Sequence, residues 1–162
     1  MIVVADSGPL HYLILLEQTD LLHRLYGQVI VPEPVADELR TGGAPPAVSE
    51  WIAHLPAWVN VASVGSDQID LINEELDLGE RAAIALAGAI QADLLLIDDA
   101  AGREEARRRN LRVTGTLGVL RTGAELGIVN VPETLSRLGT TTFYADEALI
   151  RSIFAQWLER DS

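Results

Sequence analysis

Acidic residues follow two of the most apolar segments of the chain. Asp6 follows the apolar residues 2–5, and Asp98 and Asp99 follow the apolar residues 94–97. In open parallel sheets, ligands bind outside the carboxyl ends of the strands. If these two strands are neighbours, Asp6 and Asp98 lie at the same edge of the sheet. The alternative is that each acid caps the helix that follows it, but two acids at two apolar strand ends favour a shared site.

Glu80 is a third candidate, because it lies in the first turn of a predicted helix and beside its apolar face. Ala83, Ile84 and Ala87 follow at positions i+3, i+4 and i+7 and form that face. An unpaired carboxylate there is unfavourable unless a cation or hydrogen bonds compensate it. The alternative is that the helix dipole favours an acid in the first turn. That alternative accounts for the position of Glu80 in the first turn, but not for its position beside the apolar face.

Glu38 is a fourth candidate, on a short predicted helix whose inner face is marked by Val35 and Leu39. Asp37 competes with it for the same role. A solvated helix face is the ordinary explanation for either acid, so this signal depends on the other three.

A site built from these four carboxylates has a definite chemistry. Converging carboxylates repel one another, and a hard divalent cation relieves the repulsion. Mg²⁺ and Mn²⁺ prefer oxygen ligands and retain water. Such a site suits phosphodiester hydrolysis, because the metal polarises the phosphate and lowers the pKa of a bound water. It needs no cysteine, and the chain has none.

Other acid-based chemistries fit the sequence less well. The three histidines follow no metal-ligand spacing. A receiver-type phospho-acceptor domain relies on a lysine near its acidic pocket, and this chain contains no lysine. A haloacid-dehalogenase-type phosphatase needs a second Asp two residues after Asp6, where this chain has Gly8.

The elements that must position these acids alternate between short strands and helices, which is typical of an α/β fold with a mainly parallel sheet. Thr41, Gly42 and Gly43 are predicted to end the helix that carries Glu38. Strands are predicted at 2–5, 29–31, 58–61, 94–97 and 111–113. Helices are predicted at about 9–17, 20–26, 33–40, 46–54, 66–76, 78–91, 100–110, 116–126, 132–138 and 146–158.

Composition limits the class of protein. The 162 residues predict one domain over 1–162, and 48% hydrophobic residues exclude intrinsic disorder. The net charge of −12 argues against a protein that binds nucleic acid through its overall charge. It does not argue against an enzyme that binds nucleic acid at a local site. Apolar runs are too short for a membrane span, and the N-terminus has no basic region typical of a signal peptide. We therefore expect a cytoplasmic protein without membrane association.

Four motifs occur in an order that resembles a known family. The motifs are D-S-G-P-L at 6–10, L-G-E-x-x-A-I-x-L-A at 78–87, L-I-D-D-x-x-G-R at 96–103 and V-T-G-T-L-G-V-L at 113–120. Together they resemble the PIN-domain proteins of the VapC-like toxin branch. The resemblance covers a core of about 2–138 and leaves a C-terminal helix at about 146–158.

The resemblance implies a five-stranded parallel sheet in the order 3-2-1-4-5, flanked by helices. It implies a ribonuclease dependent on Mg²⁺ or Mn²⁺, with Asp6, Glu38, Glu80 and Asp98 as the catalytic, metal-binding acids. Asp99 is a further or alternative metal ligand. Many relatives carry Asp where this chain has Glu80. Similar proteins are commonly the toxin of a toxin–antitoxin pair, form dimers, and are blocked by a small antitoxin protein.

Three residues are candidate substrate contacts. Thr114 and Thr116 are predicted at the end of the last strand, where their hydroxyls could orient a water or a phosphate. A plain turn at Gly115 with Thr116 as helix cap is the alternative. Arg103 is the best candidate for an RNA contact, although an arginine-rich helix is usually a solvated face. No aromatic residue lies among the arginines of residues 103–121, so no base-stacking platform is visible.

Two questions stay open at this stage. The chain is predicted to be an active nuclease, and the competing hypothesis is a degenerate PIN-like module that binds a protein partner or RNA. The last helix carries an apolar face that includes Ile150, Phe154 and Trp157. That face either closes the core or forms a dimer or partner surface.

Overall fold

A parallel sheet forms the centre of the molecule. In the computed structural model, which describes residues 1–41 and 43–159, five strands run in the order β3-β2-β1-β4-β5. All neighbouring strands are parallel, and β1 pairs with β2 on one side and β4 on the other. The predicted fold class and strand order are confirmed. The strands are β1 (Val3–Ala5), β2 (Val29–Pro32), β3 (Val59–Ala62), β4 (Leu94–Leu96) and β5 (Val113–Thr114).

Helices cover both faces of the sheet. The helices are α1 (Ser7–Leu15), α2 (Asp20–Tyr26), α3 (Glu33–Arg40), α4 (Pro46–Ala53), α5 (Ser66–Asp70), α6 (Leu78–Ala89), α7 (Ala100–Arg108), α8 (Thr116–Glu125), α9 (Val131–Leu138) and α10 (Glu147–Glu159). Side chains of a strand alternate between faces, so Val3 and Ala5 enter one core and Val4 the other. Helices α5, α6 and α7 cover the Val4 face, and α1–α4 and α8–α10 cover the opposite face.

The pairing of β1 with β4 brings the two acid-bearing strand ends together. Ala5 lies opposite Leu96, and the backbone amide of Asp6 donates to the carbonyl of Leu96 at 2.8 Å. Burial on both faces explains why these strands are continuously apolar. Asp6 and Asp98 therefore leave the sheet at the same edge.

The predicted helix over 66–76 is too long. Helix α5 ends at Asp70, and the Asn73 side chain accepts a hydrogen bond from the Glu75 amide at 3.0 Å. This side-chain turn competes with the helix. The last strand is also displaced, since β5 begins at Val113 and not at Leu111.

The last helix contributes to the core, and its role as a dimer or partner surface stays a prediction. Phe154 is 1% exposed, and α10 packs against α8 and α9. The helix that carries Glu38 ends at Arg40, and the Thr41 hydroxyl donates to the Glu38 carbonyl at 2.8 Å. Gly42, predicted to help end it, lies outside the described residues. The prediction of one domain over 1–162 also extends beyond them at 160–162.

No helix among the described residues is long and apolar enough to cross a membrane.

Candidate functional site

Asp6 is a buried carboxyl group without a structural role as a cap. It is 4% exposed and occupies the position before α1, yet its side chain makes no capping hydrogen bond. Its Oδ1 is buried and has no hydrogen-bond partner. Burial raises the pKa of Asp6 to about 8, a hydrogen bond from the Ser7 backbone opposes the rise, and the charges of Glu80, Asp77 and Glu38 add to it. Helix capping therefore does not explain this acid.

Glu38 approaches the start of α6 because residue 79 is glycine. A Cβ at Gly79 would overlap the Glu38 Oε1 atom. Burial raises the pKa of Glu38, while hydrogen bonds from the Ser7 side chain and the Gly79 backbone oppose that rise. Asp37 is exposed and pairs with Arg40 at 3.1 Å. The structure thus brings Glu38, and not Asp37, toward Asp6.

Glu80 has a structural role as well as a place in the site. It forms a capping box with Asp77, whose Oδ1 accepts from the Glu80 amide at 2.8 Å. In return, the Glu80 Oε2 accepts from the Asp77 amide at 3.3 Å. Burial, followed by the charges of Asp77 and Asp99, raises the pKa of Glu80 to about 7.

Asp77 is a site residue that sequence reasoning missed. Its charge raises the pKa of Asp6, Glu38 and Glu80. The signal was available, because an acidic residue three positions before Glu at a helix start is a capping-box pattern. Only Glu80 of that pair was recognised from the sequence.

Asp98 is fixed by one residue of the neighbouring strand–helix junction. Its Oδ1 accepts from the Thr116 amide and its Oδ2 from the Thr116 hydroxyl, both at 2.7 Å. Burial raises the pKa of Asp98, and these two hydrogen bonds and the Arg103 charge oppose the rise. A Cβ at Gly8 would lie 3.2 Å from Oδ2, so this carboxylate reaches the start of α1, close to Asp6.

Asp99 caps the next helix. Its Oδ2 accepts from the Gly102 amide at 2.8 Å, and its side chain is exposed. Its charge nevertheless reaches Glu80 and contributes to that raised pKa. Asp98 therefore lies beside the start of α1, the helix that follows Asp6, and Asp99 lies near enough to Glu80 for its charge to act there.

The structure gives one of the three predicted substrate contacts, Thr116, a role other than contacting substrate. Thr116 is fully buried and both its donors hold Asp98, so it positions that acid, while Gly115 takes the cap position of α8. Thr114 is half-buried, with its Oγ1 against Gly118. Arg103 is half-buried and forms no ion pair or hydrogen bond in the described part of the chain.

Two cavities each include one of the candidate acids in their lining. One, of about 380 Å³, is lined by residues that include Ser7, Gly8 and Glu38. The other, of about 530 Å³, includes Asp98 and Arg103. Glu38 and Asp98 are therefore each accessible from a cavity.

The donor set fits a hard divalent cation in its chemistry. Every candidate ligand is a carboxylate, the type that Mg²⁺ and Mn²⁺ prefer. The unpartnered Oδ1 of Asp6 is an atom that a cation would satisfy. Among residues 1–41 and 43–159, no three His, Asp or Glu side chains already stand as a closed metal cluster. Binding therefore requires side-chain movement, for which Glu80 and Glu38 have the longer reach.

The comparisons with known proteins agree with the fold. No curated protein sequence matches the chain. A family profile described as PIN domain matches residues 2–159, which is nearly the whole sequence. That span includes the sheet, both cavities and all the acids described above. The chain belongs to the PIN-domain family.

Proposed function

We propose that this protein is a metal-dependent endoribonuclease that hydrolyses RNA phosphodiester bonds at the acids around Asp6. PIN domains are generally nucleases and typically use divalent metals. The observation that carries the proposal is the buried Asp6 carboxyl group, whose Oδ1 has no partner and whose neighbours are Glu38 and Glu80. A protein maintains such an unfavourable group where it serves binding or catalysis.

Asp6 and Asp98 are the proposed direct ligands of Mg²⁺ or Mn²⁺. Glu38 and Glu80 complete the site directly or through water, and Asp99 is the alternative to Asp98. When bound, the cation supplies positive charge for the phosphate and lowers the pKa of a water. Thr116 contributes by holding the Asp98 carboxylate in one orientation through its amide and hydroxyl.

The biological setting is proposed from the resemblance to the VapC-like branch. In this proposal the protein is a cytoplasmic toxin, forms a homodimer, and is blocked by a small antitoxin protein. Expression of the chain alone should arrest growth, and co-expression of a small protein encoded beside it should relieve the arrest. Growth unaffected by an active nuclease would remove the toxin role and leave the nuclease proposal intact.

A catalytically degenerate module is the second candidate function. It is favoured by the absence, among the described residues, of a closed cluster of metal ligands. It is also favoured by hydrogen bonds that already engage Glu80, Asp98 and Asp99 in local structure. Such a module would bind a protein partner or RNA without cleaving it.

Cleavage of a mixed RNA pool distinguishes the two functions. Wild type, Asp6→Asn and Asp37→Asn are compared at equal purity with Mg²⁺, Mn²⁺ or EDTA. Asp37 is the matched control, since it is an exposed acid one position before Glu38. We expect cleavage that requires metal, disappears in Asp6→Asn and persists in Asp37→Asn. Intact RNA in every reaction, with a melting temperature unchanged by metal, would refute the nuclease.

A further inference from the structure

The larger cavity beside the acids is a groove with features of a nucleic-acid binding site. Its lining includes residues from the first half of α8, residues between 143 and 153, and Asp98. We call it the Tyr144 groove. The residues that matter to the argument are Asp98, Arg103, Arg121, Tyr144 and Asp146.

Two arginines supply positive charge along the Tyr144 groove. Arg103 has no hydrogen-bond partner among the described residues, and its Nη1 lies 3.0 Å from the Cβ position of Gly115. Arg121 pairs with Glu125 at 3.2 Å, and both side chains are about half exposed. An exposed pair of this kind contributes little stability, so the Arg121 guanidinium is free to exchange its partner for a phosphate.

The two acids of the groove are both engaged in hydrogen bonds. Asp98 accepts two from Thr116. Asp146 accepts one from the Ala148 amide at 3.0 Å, at the start of α10. Their charge faces helix N-termini, where the dipole partly offsets it. The Arg103 guanidinium lines the groove beside Asp98, whose pKa its charge lowers, and forms no hydrogen bond with the described residues.

Tyr144 lines the same groove and is an exposed aromatic residue. It is 91% exposed, the highest fraction among the large hydrophobic side chains described. The preceding residue, Phe143, is held edge-on against Tyr12, with ring centroids 5.0 Å apart. Tyr12 also shares a hydrogen bond of 3.0 Å with the Thr142 side chain. The exposed ring therefore stands on a segment that is fixed to α1.

We propose that the Tyr144 groove binds single-stranded RNA beside the cleaved bond, with Arg103 and Arg121 on phosphates and a nucleobase stacked on Tyr144. An exposed aromatic ring and arginine guanidinium groups that can bind phosphates form the combination that single-strand binding uses. Stacking tolerates any base, so the groove would confer affinity more than sequence preference. The inference rests on the proposed function, since it assigns a substrate path to the same acids.

Binding is measured by fluorescence anisotropy with a short labelled RNA strand of mixed sequence and Mg²⁺. The Asp6→Asn background prevents cleavage during the measurement. Loss of the stacking ring in Tyr144→Ala should weaken binding by about 5- to 150-fold, and Tyr144→Phe should bind within about twofold of its parent. Leu71→Ala, which removes another exposed apolar side chain outside the groove, should have no effect.

Salt dependence tests the arginines independently. Arg103→Ala should weaken binding and reduce the slope of log affinity against log salt by about 0.7, the value for one phosphate contact on a single strand. Arg151→Ala is the control, because Arg151 is exposed on α10, pairs with Glu147 and does not line the groove. An abasic strand should bind wild-type Tyr144 and Tyr144→Ala equally.

The outcomes separate this inference from the nuclease proposal. Equal binding by Tyr144→Ala and its parent, or no binding of RNA by either, overturns the Tyr144 groove even if the wild type cleaves RNA. In an active enzyme the same variant should raise KM with little change in kcat. Weakened binding in Tyr144→Ala, together with a wild type that never cleaves, supports the groove and refutes the nuclease.

Discussion

Replacing the Asp6 carboxyl with an amide should stabilise the metal-free protein at pH 8. Burial raises the pKa of Asp6 from 3.8 to about 8, so the folded protein retains a proton that the unfolded chain has already released. The protonated acid contributes its full stabilisation below pH 3.8 and loses it as the pH rises through 8. The amide of Asp6→Asn has a similar shape and does not titrate.

The magnitude follows from the same pKa. Each pH unit between the two pKa values lowers the free energy of unfolding by about 1.4 kcal/mol. The interval from pH 5 to pH 8 therefore gives at most about 4 kcal/mol. Small movements of the carboxyl toward water reduce this value, and we expect Asp6→Asn to gain about 1–3 kcal/mol over wild type across the interval. The expected gain is smallest at pH 5.

Urea denaturation in EDTA at pH 5 and pH 8 measures the effect. Asp37→Asn is the control, because its exposed acid should change stability by less than about 0.5 kcal/mol at either pH. Mn²⁺ at about 1,000 times its Kd should reverse the order, since it stabilises wild type by about 4.1 kcal/mol and loses a ligand in Asp6→Asn. An Asp6→Asn protein that is less stable than wild type at pH 8 in EDTA, or equally changed at both pH values, would refute the reasoning.

Three further substitutions test contacts around the site. Gly79→Ala should change the free energy of unfolding by less than about 1 kcal/mol, because the Glu38 carboxylate ends a flexible side chain that can move away from the new Cβ. It should reduce RNA cleavage by displacing that carboxylate, and cleavage equal to wild type would argue against a role for this position of Glu38. Thr116→Val should lower the free energy of unfolding by about 1–3 kcal/mol and reduce RNA cleavage at least about tenfold, because Asp98 loses the hydrogen bond from the hydroxyl. Thr116→Ser keeps that hydroxyl and should retain both the stability and the cleavage. Phe154→Ala should cost about 3–5 kcal/mol by thermal denaturation, and a change below about 1 kcal/mol would show that α10 does not close the core.

The sequence predicted the fold well because the strands are short, apolar and separated by helices. Asp6 and Asp98 could be placed at one sheet edge once β1 and β4 were taken as neighbours, and the structure confirms that pairing. The order of all five strands came from the family resemblance, because periodicity alone does not decide which parallel strands pair. The end of α5 was missed because one Asn73 side-chain turn outweighs helix propensity there.

Contacts distant in sequence were the main limit on predicting the site. Tyr144 lies 23 residues after Arg121, and only the packing of α10 on α8 brings both to one groove. The sequence therefore showed arginines without an aromatic partner. Similarly, no pattern in the sequence around Gly79 indicates that Glu38 of another helix lies against it.

Helix capping and catalysis are the two explanations for the acids at the strand ends. The structure shows which acids form capping hydrogen bonds and which do not. Asp99 caps α7 through the Gly102 amide, and Glu80 shares a capping box, so each contributes to helix stability besides its proposed place in the site. Asp98 is intermediate, because Thr116 binds both its oxygens while Gly8 leaves it open toward α1. Asp6 has no capping bond and a buried oxygen without a partner. An acid that destabilises its own fold at neutral pH requires another reason to be there, which is why Asp6 is the residue whose replacement separates a nuclease from a degenerate module.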